Sequence, residues 1–347
     1  MKPLALKFLV CSVMVAVSPF SQASFLNPPG STASSGTTLA EQGRDPAQFP
    51  AYVLQLKEQA RQQGFDQATI DTAFDGIHFV DRVIKSDRGQ LENKVTLDDY
   101  LARVLTPEKI AQGREYRQQY QNALQPIASA SGVQSQYIVA LWALESHFGK
   151  IQGKEEVVSA LATLAFEGRR EAFFTKELMA AVRIIQRQQI TAADLKGSWA
   201  GAMGQSQFMP SSFLNYGKDG DGDGKIDIWN NLDDVFASIA NYLQREGWRA
   251  GQGWGTEVTL PAGFDAQQTG LKTGQAKTPG QWQQRGIQVI DPAKNRVPGE
   301  RAWIITPQDG GGRSFMVYDN FRTLMHWNRS YYFAISIGMM ADAIAAQ

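Results

Sequence analysis

Apolar residues recur at three- and four-residue spacing through six stretches of this chain, and after Gly251 that period stops. The stretches are 49–63, 67–74, 107–130, 135–148, 170–188 and 232–246, and each reads as a helix with one apolar face. Between Gly251 and Tyr318 the apolar residues fall instead in short β-rich runs, 257–260, 286–290, 302–306 and 314–318, separated by Gly-, Pro- and Gln-rich connections. A last helix is expected over 329–346, packed back on the helical part. The pattern predicts an α+β fold, mainly α, with a small sheet inserted into a helical body. It divides the chain into a helical lobe at 45–132, completed by the C-terminal helix 329–347, a core at 133–250, and a small β-rich lobe with a return segment at 251–328.

The N-terminus stands apart from that body. Lys2 and Lys7 precede an apolar run too short for a membrane span, and Ser21-Gln22-Ala23 places small residues where a signal peptidase reads. Cleavage is expected near Ala23, with a Ser-, Gly- and Pro-rich flexible leader over 24–44. The only cysteine, Cys11, lies inside the signal. Val10 before it is not small, so a lipoprotein anchor is the less favoured reading. The mature chain then has no disulfide and relies on core burial. It keeps 32 Lys plus Arg against 34 Asp plus Glu. With no basic run, the phosphate-neutralising attraction that drives nucleic-acid binding has no source, and no other segment approaches a membrane span.

Three segments carry chemistry. In 137–149, Ile138, Leu141, Trp142, Glu145 and Phe148 fall on one helical face that is apolar except for Glu145. A carboxylate on a buried stripe, in the last turn of a helix that Gly149 is expected to end, has its pKa raised by desolvation and by the negative end of the dipole. That suits a general acid near neutral pH; a Glu satisfied by a buried Arg is the plainer alternative. His147 points away from Glu145, His78 and His326 are isolated, and Ser146 lacks a nucleophile-elbow turn, so these read as structural. The second segment, 201–212, is Gly-rich without dinucleotide or phosphate-loop spacing. Gln205, Ser206 and Gln207 offer neutral groups suited to sugar hydroxyls and acetamides, or to an ordinary turn. The third is an EF-hand-like loop. Asp219, Asp221 and Asp223 occupy positions 1, 3 and 5, Gly224 position 6 and Lys225, through its carbonyl, position 7. Asn230 stands where the bidentate Glu belongs, and Asp233 is its expected substitute. A weak, structural Ca2+ site is predicted, with no organic cofactor.

Taken together, Leu144-Glu145-Ser146-x-Phe148-Gly149, Gly201-Ala-Met-Gly-x-x-Gln207-Phe-Met-Pro, the Asp219 loop ending in Ile228-Trp229, Asn241-Tyr242 and Trp327-Asn328-Arg329-Ser330 resemble, in this order, the lytic murein transglycosylase B family. The resemblance covers 49 to the C-terminus. It implies a lysozyme-like core beside the helical and β lobes, and peptidoglycan strands as the partner, with cell-wall synthesis or remodelling proteins as further partners. It also implies a soluble periplasmic enzyme that cleaves the bond between N-acetylmuramic acid and N-acetylglucosamine without water, leaving a 1,6-anhydromuramoyl end. By the same resemblance Glu145 is the single acid and base, and the substrate's 2-acetamido oxygen steadies the cationic intermediate. Ser198, Gln207 and Phe208 face the sugar and Tyr242 orients near the acid. Arg169 and Arg170 meet a stem-peptide or lactyl carboxylate, and Tyr100 and Trp327 are groove aromatics. The family often has Tyr at Trp327 and at Phe333, so Phe333 is left out of the site. A hydrolytic muramidase would need a second carboxylate beside Glu145; a non-catalytic peptidoglycan-binding scaffold would leave Glu145 merely buried.

Overall fold

The computed structural model describes residues 44–89, 95–291, 301–308 and 310–346. The signal sequence with Cys11, and the leader except Arg44, lie outside them. Helices α1 (Phe49–Gln62) and α2 (Gln67–Ala73) fall where their apolar spacing puts them, and Asp66 caps α2 through the Thr69 N–H. The predicted helix over 107–130 is two, α5 (Pro107–Gln119) and α6 (Gln121–Ser131). The break is Tyr120, whose ring is held against Trp142 and Phe236. Between these pairs lie α3 (Asp81–Gly89) and α4 (Leu97–Val104), short helices whose few turns carry no period long enough to read.

The centre of the body is α7 (Ser135–Ser146), buried on every side from Tyr137 to Ala143 rather than along one stripe. It ends three residues before the expected Gly149. His147, Phe148 and Gly149 take successive left-handed conformations, at φ of 51°, 58° and 79°. Ser146 Oγ accepts the Gly149 N–H and donates to the Trp142 carbonyl, closing the end of the helix. After a two-residue strand β1 (Glu155–Glu156) comes α8 (Val157–Glu167), which the sequence reading missed. Every residue from Val157 to Phe166 is buried, Ser159 and Thr163 included, so α8 has no solvent-exposed polar face. It packs on α9 (Glu171–Gln188).

Beyond α9 the chain forms β2 (Lys196–Gly197), antiparallel to β1, then α10 (Pro210–Tyr216) and α11 (Leu232–Arg245). The four β-rich runs become β3 (Gly255–Thr259), β4 (Gln288–Val289), β5 (Trp303–Ile305) and β6 (Ser314–Val317), with a short helix α12 (Pro279–Gln283) between β3 and β4. They make one antiparallel sheet in the order β4-β3-β6-β5. Alternation divides its faces: Trp303, Ile305, Phe315 and Val317 join the main core, while Val258, Ile304 and Met316 close a smaller one around Trp282. The return segment is helical at α13 (Asp319–Trp327), and α14 (Tyr331–Ala345) packs on α7 and α5. Gly338 allows that docking. A Cβ there would come within 2.2 Å of the Trp254 ring, which lies across α14 and donates from Nε1 to Asp342.

Candidate active site

Glu145 lies in the last turn of α7, half-buried, and it lines a cleft of about 1000 Å³. Burial pushes its carboxyl up to about 8, partly offset by the Trp327 indole, whose Nε1–H donates to Oε1 at 2.6 Å. Desolvation penalises the charged form, so the group keeps its proton through neutral pH. Trp327 stands at the end of α13 within an aromatic group, its ring 4.6 Å from Tyr242 and 5.2 Å from Phe208. Tyr242 is itself buried, which holds its hydroxyl protonated and able to donate.

The cleft wall is drawn from distant parts of the chain. Arg82 and Ser86 of α3, the turn 149–155, the stretch 196–200 and the segment 225–230 all face the same space. Of the sequence-predicted residues, Glu145, Ser198, Gln207 and Lys225 line it. Ser198 Oγ accepts the N–H groups of Ala200 and Ala202. Gln207, in a left-handed conformation at φ 50°, donates its amide to the carbonyls of Gly204 and Gln152. Its amide oxygen has no partner among the described residues. The glycines are used here: a Cβ on Gly204 would sit 2.6 Å from the Ile228 carbonyl oxygen.

In the acidic loop, carboxylate oxygens of Asp219, Asp221 and Asp223 all lie within 4.8 Å of one another. Backbone N–H groups of Gly224 and Gly222 bond Asp219 and hold its pKa down. Oxygen donors alone, converging from alternate residues of one turn, fit a hard cation such as calcium. Asp233, the expected substitute ligand, is not part of this trio. It sits in the first turn of α11, where its N–H meets the capping Asn231. The loop is tied down instead by Asp234, fully buried, which accepts the N–H groups of Gly220 and Asp227.

Residues 48–342 match the Transglycosylase SLT domain family. The chain belongs to this family. It is 32% identical over 248 residues to membrane-bound lytic murein transglycosylase B of Escherichia coli (strain K12), an alignment covering 71% of this chain and 66% of that enzyme, just under two thirds of its length. SltB3 of Pseudomonas aeruginosa, solved in complex with NAG-anhNAM-pentapeptide, superposes with a TM-score of 0.79 at 38% identity, covering 85% of this chain and 79% of that one. The Escherichia coli lytic transglycosylase Slt35, solved in complex with calcium, gives a TM-score of 0.72 at 29% identity over 85% and 92% of the two chains. The α+β, mainly α, lysozyme-like architecture is common to this transglycosylase group.

In this family member Arg169, Arg170 and Tyr100 do not line the cleft. Arg169 and Arg170 both grip Asp87 of α3, Arg170 Nη2 at 2.6 Å, and Arg169 also bonds Glu167 at 2.8 Å. Asp87 is buried, so the pair clamps α3 to the corner between α8 and α9. Tyr100 stacks 5.7 Å from Tyr332, beside a shallower depression lined by Met325, His326 and Arg329 on either side of Trp327 in sequence. Sequence reasoning missed Arg82 and Ser86, because α3 itself went unread. It also missed Asp227, at position 9 of the acidic loop, which lines the cleft and accepts the N–H groups of Trp229 and Asn230. The EF-hand spacing could have found Asp227.

Proposed function

We propose that this chain is a peptidoglycan lytic transglycosylase acting at the β-1,4 bond between N-acetylmuramic acid and N-acetylglucosamine, with Glu145 as both acid and base. The observation that carries the reading is a carboxyl raised to about 8 by burial, facing a cleft and held by Trp327. Protonated, Glu145 gives its proton to the glycosidic oxygen as the bond to the muramic anomeric carbon breaks, and N-acetylglucosamine leaves as an alcohol. Now ionised, it takes the proton of the muramic 6-hydroxyl while that oxygen bonds the anomeric carbon, and the 1,6-anhydro ring closes with Glu145 protonated again. Glu145 is perturbed by burial and by Trp327, with no neighbouring carboxylate acting on it among the described residues. This agrees with a substrate that supplies its own nucleophile, where ordinary glycosidases use two carboxyl groups.

Ser198 and Gln207 bind the sugars from the cleft wall, and Tyr242 and Phe208 act through Trp327, keeping its indole on the acid. Tyr100 forms part of an aromatic rim further along the groove. Arg169 and Arg170, drawn onto Asp87, serve the glycan by holding α3 and its cleft residues Arg82 and Ser86 in place. Asp219, Asp221 and Asp223, with the Lys225 carbonyl, hold a calcium ion; its relative Slt35 is known in complex with calcium. The ion supplies the charge that three converging carboxylates lack. The protein works in the periplasm after removal of its signal sequence; no helix among the described residues is long and apolar enough to cross a membrane. The test is digestion of purified murein with mass spectrometry of the sugar ends. Anhydro ends that vanish in Glu145→Gln support the proposal. Reducing ends would make the protein a muramidase, and no products in the wild type would make it a binding scaffold.

A further inference from the structure

Gln205 belongs to the Gly-rich loop yet does not line the cleft, and it is only 8% exposed. Its amide is used at both ends. Oε1 accepts the Trp142 Nε1–H at 2.7 Å, and Nε2 donates to the Trp229 carbonyl at 2.8 Å. Its backbone N–H adds a bond to the Ile228 carbonyl at 2.8 Å. Trp142 precedes Glu145 by three residues on α7, while Ile228 and Trp229 are where the acidic loop enters the cleft wall. One side chain therefore joins the helix that carries the acid to the wall that faces it. Gly149 makes room for the bridge, since a Cβ there would lie 2.2 Å from Gln205 Oε1. Gln152 repeats it on a smaller scale, donating to the carbonyls of Gly149 and Trp229, each at 3.1 Å.

The final turn of a helix has the fewest backbone bonds to hold it. On α7 the chain leaves that turn through three left-handed residues, so its rotation and depth depend on side anchors. Trp142 is such an anchor and Gln205 is its polar tether. We infer that Gln205 is a positioning residue of the transglycosylase reaction, fixing Glu145 at a set depth and angle against the cleft wall through Trp142 and Trp229 while touching no substrate. This rests on the reading of Glu145 as the acid.

Displacing a reacting group by about 1 Å costs on the order of 100-fold in rate. Gln205→Met, similar in shape but without either hydrogen bond, is expected to lower kcat by roughly 10- to 100-fold with KM within about twofold. The basic limb of the kcat profile is expected to move to lower pH as the carboxyl gains solvent. Gln205→Glu keeps the acceptor for Trp142 but, ionised, sets an oxygen against the Trp229 carbonyl, and it is expected to show the same split. Both are measured on purified murein, with near-ultraviolet circular dichroism to show that the tryptophans remain packed, and Gln205→Glu decides if Gln205→Met does not fold. Wild-type kcat and pH profile in a folded variant overturn the inference, as does a fall in melting temperature alone. An active Glu145→Gln enzyme overturns the acid assignment and this role with it. An inactive one beside wild-type kinetics in Gln205→Met overturns the positioning role alone.

Discussion

Glu145 is stabilising to chemistry and costly to the fold. In the unfolded chain it ionises near its ordinary 4.5, whereas in the folded protein it holds its proton to about 8. Between those values the unfolded state binds fewer protons, so stability contributed at this residue falls as pH rises from 4.5 towards 8. Glu145→Gln keeps an acceptor for the Trp327 indole and removes the ionisation. It is expected to stabilise the protein by about 4 kcal/mol at pH 8 and by nothing below pH 4, read from thermal midpoints at the two pH values. A midpoint shift equal at both would count against a buried, protonated carboxyl. Trp327→Phe takes away the one influence that lowers this pKa. The basic limb of the activity profile should then move to higher pH, with a drop in kcat of about tenfold as the carboxyl loses its orientation. A basic limb that stays in place would mean the indole bond is weak in solution.

Elements show how a local rule is overridden by what packs against it. Gly338 lies inside α14, where alanine ordinarily gains about 1 kcal/mol. Here a methyl would enter the Trp254 ring, so Gly338→Ala is expected to cost about 2 kcal/mol or more, measured by denaturant unfolding. An increase in stability would show that Trp254 yields freely. The acidic loop is governed by charge. Asp219, Asp221 and Asp223 repel one another without a cation, so a chelator applied to calcium-loaded protein should lower the thermal midpoint, and added calcium should restore it. Asp219→Asn should shrink that response. No response in protein shown to contain calcium would remove the ion from the account.

Across the whole molecule, the sheet is held to the helical body by shared apolar faces and by charge. Arg313, directly before the inner strand β6, bonds Glu257 with two nitrogens at 2.7 Å and reaches Asp98 of α4 at 2.8 Å. Arg313→Ala is expected to raise amide hydrogen exchange across 255–259 and 314–317 while α7 stays protected. Uniform loosening of both would mean that lobe and body open as one unit.

The sequence by itself determined the mainly helical class, the inserted sheet, the carboxylate on the apolar helix, the Gly-rich turn and the acidic loop, because each is written in a local period or spacing. The lone carboxylate on an apolar helix face stood out before any fold was known. What only the tertiary structure decided follows from contacts far apart in the chain. Helix α8 is buried all round, so even Ser159 and Thr163 face protein rather than solvent and no exposed face marks its turns. The partners of Arg169 and Arg170 come from α3, more than eighty residues earlier, and a buried carboxylate draws guanidinium groups that sequence alone would aim at substrate. The Trp327 indole reaches Glu145 across 182 positions. Gln205 likewise has a role only once α7 and the cleft wall stand a hydrogen bond apart on either side of it. Spacing records what a residue is; packing decides which charge or hydrogen bond it meets.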